Sequence, residues 1–175
     1  MRAHAFIMYY AQDIFMKEFE MDNFLKLFDL IGVLARRRYQ MAEQSFSALG
    51  LNHTEARLLT LLDRENGRAT QDALSNMLFI DRSNAGRGLK GLEAGGYIAR
   101  GENEGDKRTR IVQITAKGKK AVAEISKLRK KMAQSFFGDL KADEAGRIAK
   151  LLQRALKNED LRARSNMYLD EPLEK

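Results

Sequence analysis

The chain has 175 residues, 44% hydrophobic and 31% charged, with 31 Lys+Arg against 24 Asp+Glu and a formal net charge of +7. That length suits one domain with helical arms, and the basic balance suits an acidic partner. No cysteine is present, which excludes disulfide frameworks, thiolate catalysis, zinc fingers and a cysteine redox switch.

Residues 1–20 place Ile7, Met8, Ala11, Ile14, Phe15 and Phe19 on one helical stripe. The run is too short to span a membrane and lacks a signal-peptide cleavage pattern. Three readings stand: an extra helix packing on a partner subunit, a membrane-surface helix, or an upstream start with Met21 as the natural beginning. The acidic Asp13, Glu18 and Glu20 oppose the second, so no membrane partner is expected.

Residues 22–48 form an amphipathic pattern through Phe24, Leu27, Phe28, Ile31, Leu34, Met41 and Phe46, a helix that needs a partner. Arg38 falls in its apolar phase, either snorkelling to solvent or waiting as a cation for an anionic ligand. Asn52-His-Thr-Glu55 reads as a capping box opening a helix with Ala56, Leu58, Leu59, Leu61 and Leu62, ending near Gly67. His53 is expected on a surface loop, without catalytic or metal-binding work.

Thr70 predicts the N-cap of a short helix with Leu74, Met77 and Leu78 on one face. Asp81 predicts the cap of a second helix, with Ala85, Leu89 and Leu92 in apolar phase and Arg82, Asn84, Arg87 and Lys90 elsewhere. Gly95-Gly96 ends it. Tyr97 to Arg100 and Arg110 to Thr115 alternate as strands around a polar tip, Glu102 to Arg108, which is the pattern of a β-hairpin.

Residues 81–131 hold 14 Lys+Arg and 6 Asp+Glu, a surplus of +8 against +7 for the whole chain. The basic excess therefore sits on the second helix, the hairpin and the helix after it, where counterion release from phosphates can use it. Gly86-Arg-Gly88-Leu-Lys-Gly91 also spells the G-x-G-x-x-G dinucleotide fingerprint, with Asp106 twenty residues on. The fingerprint needs its turn directly at a strand end, yet five residues separate the apolar run from Gly86, and the helical phase continues through the glycines. Each glycine costs about 0.8–1 kcal/mol in a helix interior. Its use is either close approach of the helix to another element or DNA, or a helix that orders on binding.

Thr115 predicts the cap of a long helix to about Phe137 with Val122, Ile125, Leu128, Met132 and Phe136 in phase. Gly138-Asp139 breaks it, and a last helix carries Ile148, Leu151, Leu152, Ala155 and Leu156 before a charged tail. The fold class expected is mainly α with a small β-wing: a winged helix-turn-helix core plus terminal helices forming a dimerisation stem. The expected organisation is an N-terminal extension at 1–20, a dimerisation helix at 21–50, the DNA-binding region at 51–115, C-terminal dimerisation helices at 116–158 and the tail at 159–175.

Residues 51–118 resemble the MarR family of bacterial transcription regulators. The similar features are Leu51-Asn-His-Thr-Glu-Ala-Arg-Leu-Leu, Asp81-Arg-Ser-Asn, Glu93-Ala-Gly-Gly-Tyr-Ile, Asp106-Lys-Arg108 and Ile114-Thr-Ala-Lys-Gly118. The resemblance implies that Arg108 enters the minor groove, oriented by Asp106. It implies a cytoplasmic homodimer on a palindromic operator, acting as a repressor and released by a small aromatic or lipophilic anionic effector. Two departures stand out: Ala73 replaces a frequent acidic residue, and three glycines lie in the recognition helix.

Expected at base edges or phosphates of double-stranded DNA are Arg82, Ser83, Asn84 and Arg87, with Lys90 and Lys107 on phosphates. Arg38 and Arg57 are the cations proposed for an effector pocket. No spacing of acid, base or nucleophile supports an enzyme, and no cofactor or metal is expected. A protein-interaction module with incidental basic charge is the alternative, and a nucleotide-binding enzyme using Gly86, Gly88 and Gly91 a remoter one.

Overall fold

The computed structural model describes residues 2–103 and 106–156, with side chains at 21–101 and 111–156. The first helix, α1 (Arg2–Ser47), runs 46 residues without a break, so residues 2–20 continue the helix of 22–47. The apolar stripe read at Ile7 to Phe19 lies outside the described side chains, and the tail at 159–175 lies outside the described residues. The chain divides into two units, residues 1–41 and 42–175. In the first, Phe24, Leu27, Phe28, Ile31 and Val33 are exposed, Phe28 by 75%.

The second unit begins with the last turns of α1, whose Ala42 and Phe46 are buried with Leu51. Helix α2 (His53–Arg64) starts on a full capping box: Asn52 Oδ1 accepts from Glu55 N at 2.9 Å, and Glu55 Oε2 accepts from Asn52 N at 2.9 Å. His53 is therefore the first helical residue rather than a loop residue, and its backbone N donates to Glu43 Oε1. Glycine ends the connection as anticipated, since Gly67 has φ +78°, a region that disfavours side chains.

A short strand follows that periodicity could not reveal, β1 (Arg68–Thr70). Helix α3 (Gln71–Leu78) is capped by Thr70, and α4 (Arg82–Ala94) by Asp81. Strands β2 (Ile98–Asn103) and β3 (Asp106–Ile114) extend further into the expected tip than alternation suggested. All pairing is antiparallel in the order β1-β3-β2, so the wing is a three-stranded sheet rather than a hairpin alone. Helix α5 (Ala116–Phe136) is capped by Thr115, whose Oγ1 accepts from Gly118 N and donates to Tyr97 O. Helix α6 (Ala142–Ala155) leaves Ile148, Leu151 and Leu152 exposed.

One core joins these elements. Leu58, Leu59 and Leu62 of α2, Leu74 of α3, Leu89 and Leu92 of α4, Val112 of β3 and Ile125 of α5 are all essentially inaccessible. Each such side chain contributes about 1.5–3 kcal/mol relative to exposure. The crossing of α2 and α4 depends on glycine. A β-carbon at Gly88 would sit 2.7 Å from Leu58 Cδ1, and one at Gly91 would run into the Glu55 carboxylate of the capping box. Of the two uses open to these glycines, the structure realises close approach. One strained point remains in the turn between α3 and α4: Phe79 is left-handed, φ 53°, and 48% exposed.

Gly88→Val should therefore lower unfolding stability by about 1–3 kcal/mol through overpacking against Leu58. Gly146→Ala in α6, where a β-carbon meets nothing within 4 Å, should raise it by up to about 1 kcal/mol. Urea titration followed by circular dichroism reads both. Asp81→Ala removes the acceptor for Asn84 N, 2.8 Å away, and should cost about 1 kcal/mol in the same measurement.

Candidate nucleic-acid interface

The exposed basic face follows from how α4 is turned by its core residues. Ala85, Gly88, Leu89 and Leu92 face inward, and the helical period then leaves Arg82, Ser83, Arg87 and Lys90 exposed on the opposite side. These four line an open cleft of about 480 Å³ together with Gln71 of α3, Gly86 of α4 and Arg100 of β2. The cleft thus carries four cationic side chains, with the bare backbone of Gly86 among them.

Two of those cations are held by carboxylates. Arg82 Nε lies 3.0 Å from Asp72 Oδ1, both side chains well exposed. Arg100 Nε lies 2.9 Å from Glu93 Oε2, but off the hydrogen-bonding direction, so that buried nitrogen keeps an electrostatic partner without a formed hydrogen bond. Gln71 Nε2 donates to Arg82 O at 3.1 Å and packs where a side chain at position 86 would stand. Asp81 Oδ1 holds the first turn, placing the positive end of the α4 dipole beside Arg82 and Ser83.

Not every expected contact falls in the cleft. Asn84 is half-buried, its backbone N bound to Asp81, and it is absent from the cleft lining. Asp106, Lys107 and Arg108 lie on β3, where the backbone of Asp106 pairs with Asn103 beside a register shift; their side chains lie outside those described. Arg57 is half-buried on α2, with Nη2 3.5 Å from Leu78 O. Arg38 is exposed on α1, within the unit 1–41.

Arg100 and Gln71 were absent from the expected site. Strand alternation carried a signal for Arg100, since it shares a face with buried Ile98 and thus turns toward α4. Gln71 had none, because its role arises from the contact between α3 and α4. The G-x-G-x-x-G motif is corrected in the same place. Gly86, Gly88 and Gly91 lie inside α4, packed on Gln71, Leu58 and Glu55, and form no strand-to-helix turn to cradle a dinucleotide. Among the described residues no helix is long and apolar enough to cross a membrane, and no group of three or more His, Cys, Asp or Glu could hold a metal.

Residues 49–109 match the sequence profile of the MarR family. The uncharacterized HTH-type transcriptional regulator YybA of Bacillus subtilis is 28% identical over 128 residues, spanning 73% of this chain and 85% of YybA. MarR of Escherichia coli, solved in complex with operator DNA, shares the fold with a TM-score of 0.66 at 24% identity, over 75% of this chain and 94% of MarR. BpsR of Bordetella bronchiseptica, whose DNA binding is regulated by 6-hydroxynicotinic acid, gives 0.65 at 22% identity over 74% and 98%. The matched segment 49–109 runs from just before α2 into the wing, and over it this chain is similar to the MarR family of winged helix-turn-helix transcriptional regulators, whose fold it shares.

Proposed function

We propose that this chain is a MarR-type transcriptional regulator, a homodimeric, sequence-specific repressor that binds a palindromic operator through α4 and the wing. The observation that carries the reading is the cleft on the outer face of α4, where Arg82, Arg87, Lys90 and Arg100 converge around Ser83 and Gly86. A helix presenting cations and short polar groups on one side suits the major groove and its flanking phosphates. Lys107 and Arg108, at the tip of the wing, are assigned to phosphate and minor groove, with Asp106 orienting Arg108. Asn84 is assigned to the edge of the same footprint.

Dimerisation is supported by apolar surface that the single chain leaves in water. Phe24, Leu27, Phe28, Ile31 and Val33 of α1 and Ile148, Leu151 and Leu152 of α6 are all at least 40% exposed. A second copy supplies the apolar cover such faces need. Twofold symmetry then sets two recognition helices about one DNA turn apart, roughly 34 Å. Operator release by a small aromatic or lipophilic anion is the further step, with Arg38 and Arg57 as the cations assigned to it. Its support is the ligand regulation of the related BpsR. Such a ligand works by favouring a spacing of reading heads that misfits the duplex.

Mobility-shift titration of the full chain on duplexes selected from a random pool tests the DNA reading. Affinity should fall linearly with salt on a logarithmic plot, with slope about −0.9 per phosphate contacted. Arg108→Ala should weaken binding several-fold while leaving the circular dichroism spectrum unchanged. Salt-independent behaviour would instead indicate a protein-interaction module. Light scattering should give twice the chain mass at micromolar concentration; a monomer would refute the symmetric operator.

A further inference from the structure

Arg82 sits where α4 meets the cleft, yet it is tied to a carboxylate from the preceding helix. Asp72 stands in the first turn of α3, where the helix dipole favours a negative group, and its backbone is fixed by the hydrogen bond from Ser75 Oγ to Asp72 O. Its Oδ1 lies 3.0 Å from Arg82 Nε, an ion pair without a formed hydrogen bond. Next to it, Gln71 Nε2 donates to the carbonyl oxygen of Arg82. Two consecutive residues of α3 thus hold one residue of α4, one by its backbone and one by its side chain.

This arrangement contributes little to stability. Asp72 and Arg82 have side chains 57% and 76% exposed, and ion pairs in water are close to energetically neutral. What the contact does is constrain a flexible cation. The carboxylate approaches at Nε, and the terminal pair of guanidinium nitrogens can serve an external acceptor. That pair matches the O6 and N7 acceptors of guanine in the major groove. The carboxylate also places a negative charge beside the phosphates of any duplex that approaches.

We infer that Asp72 is a specificity-determining positioning residue: it confines Arg82 from the Nε side with its outer edge toward a guanine, and its charge weakens binding to every duplex, a cost that only a guanine contact offsets. The inference rests on the DNA-binding reading. It predicts opposite signs for two quantities that a merely structural role would move together. Asp72→Asn removes the charge and loosens Arg82. Affinity for random duplex rises several-fold, while the ratio of operator to random affinity falls roughly tenfold, the scale of one bidentate base contact.

The test selects duplexes from a random pool with the full wild-type chain, Asp72→Asn, Arg82→Ala and the double variant, then measures each on the selected and random duplexes at one salt concentration. Wild type should enrich a guanine at one position in each half-site. Asp72→Asn should leave that position degenerate at an unchanged thermal midpoint, and in the Arg82→Ala background it should alter discrimination no further. Retained discrimination in Asp72→Asn, or a fall in random-duplex affinity, would overturn this inference alone. Enrichment of no duplex by the wild type would overturn the DNA-binding reading and this inference with it.

Discussion

The close crossing of α2 and α4 is the contact on which the reading surface depends. Gly88 stands against fully buried Leu58, and Gly91 stands against the Glu55 carboxylate that completes the α2 capping box. With no α4 side chain at these two positions, α4 sits down on the α2 side chains in the setting that covers Ala85, Leu89 and Leu92. That setting turns Arg82, Ser83, Arg87 and Lys90 outward. The glycines are unfavourable for an isolated helix by about 0.8–1 kcal/mol each, and burial of the leucines around them offsets that cost.

The cleft that results is not a uniformly positive patch. Arg87 and Lys90 are exposed, whereas Arg82 and Arg100 each face a carboxylate, Asp72 and Glu93. In the proposed DNA complex, the charge surplus of the region supplies long-range attraction to phosphate, and acceptor geometry then decides where each guanidinium can settle. Arg100 differs from the others in origin as well. It comes from the sheet, so the wing and the helix-turn-helix supply one shared surface.

What could be read from the sequence was what is decided locally. Asn52 with Glu55, Thr70, Asp81 and Thr115 each cap a helix through an acceptor three residues from its donor, and every one of those caps is present. The inward phase of Ala85, Leu89 and Leu92 is equally local and placed the exposed cations correctly on the outer face. Features set by distant partners were illegible. Strand β1 has three residues and exists because Arg68–Thr70 finds Ile111–Gln113 more than forty positions away. The left-handed backbone of Phe79 goes against the preference of a bulky residue, so no sequence rule would place it there. Gln71 reads as an ordinary first-turn residue until α4 is packed beside it.

Thr70 belongs to two elements at once. Its backbone pairs with Ile111 at the end of β1, and its hydroxyl oxygen accepts from Ala73 N to start α3. A single rung of the ladder thus joins the β-ribbon to the first turn of the neighbouring coil. Ribbon and coil therefore share a residue, and neither can be displaced without straining a bond made by that threonine.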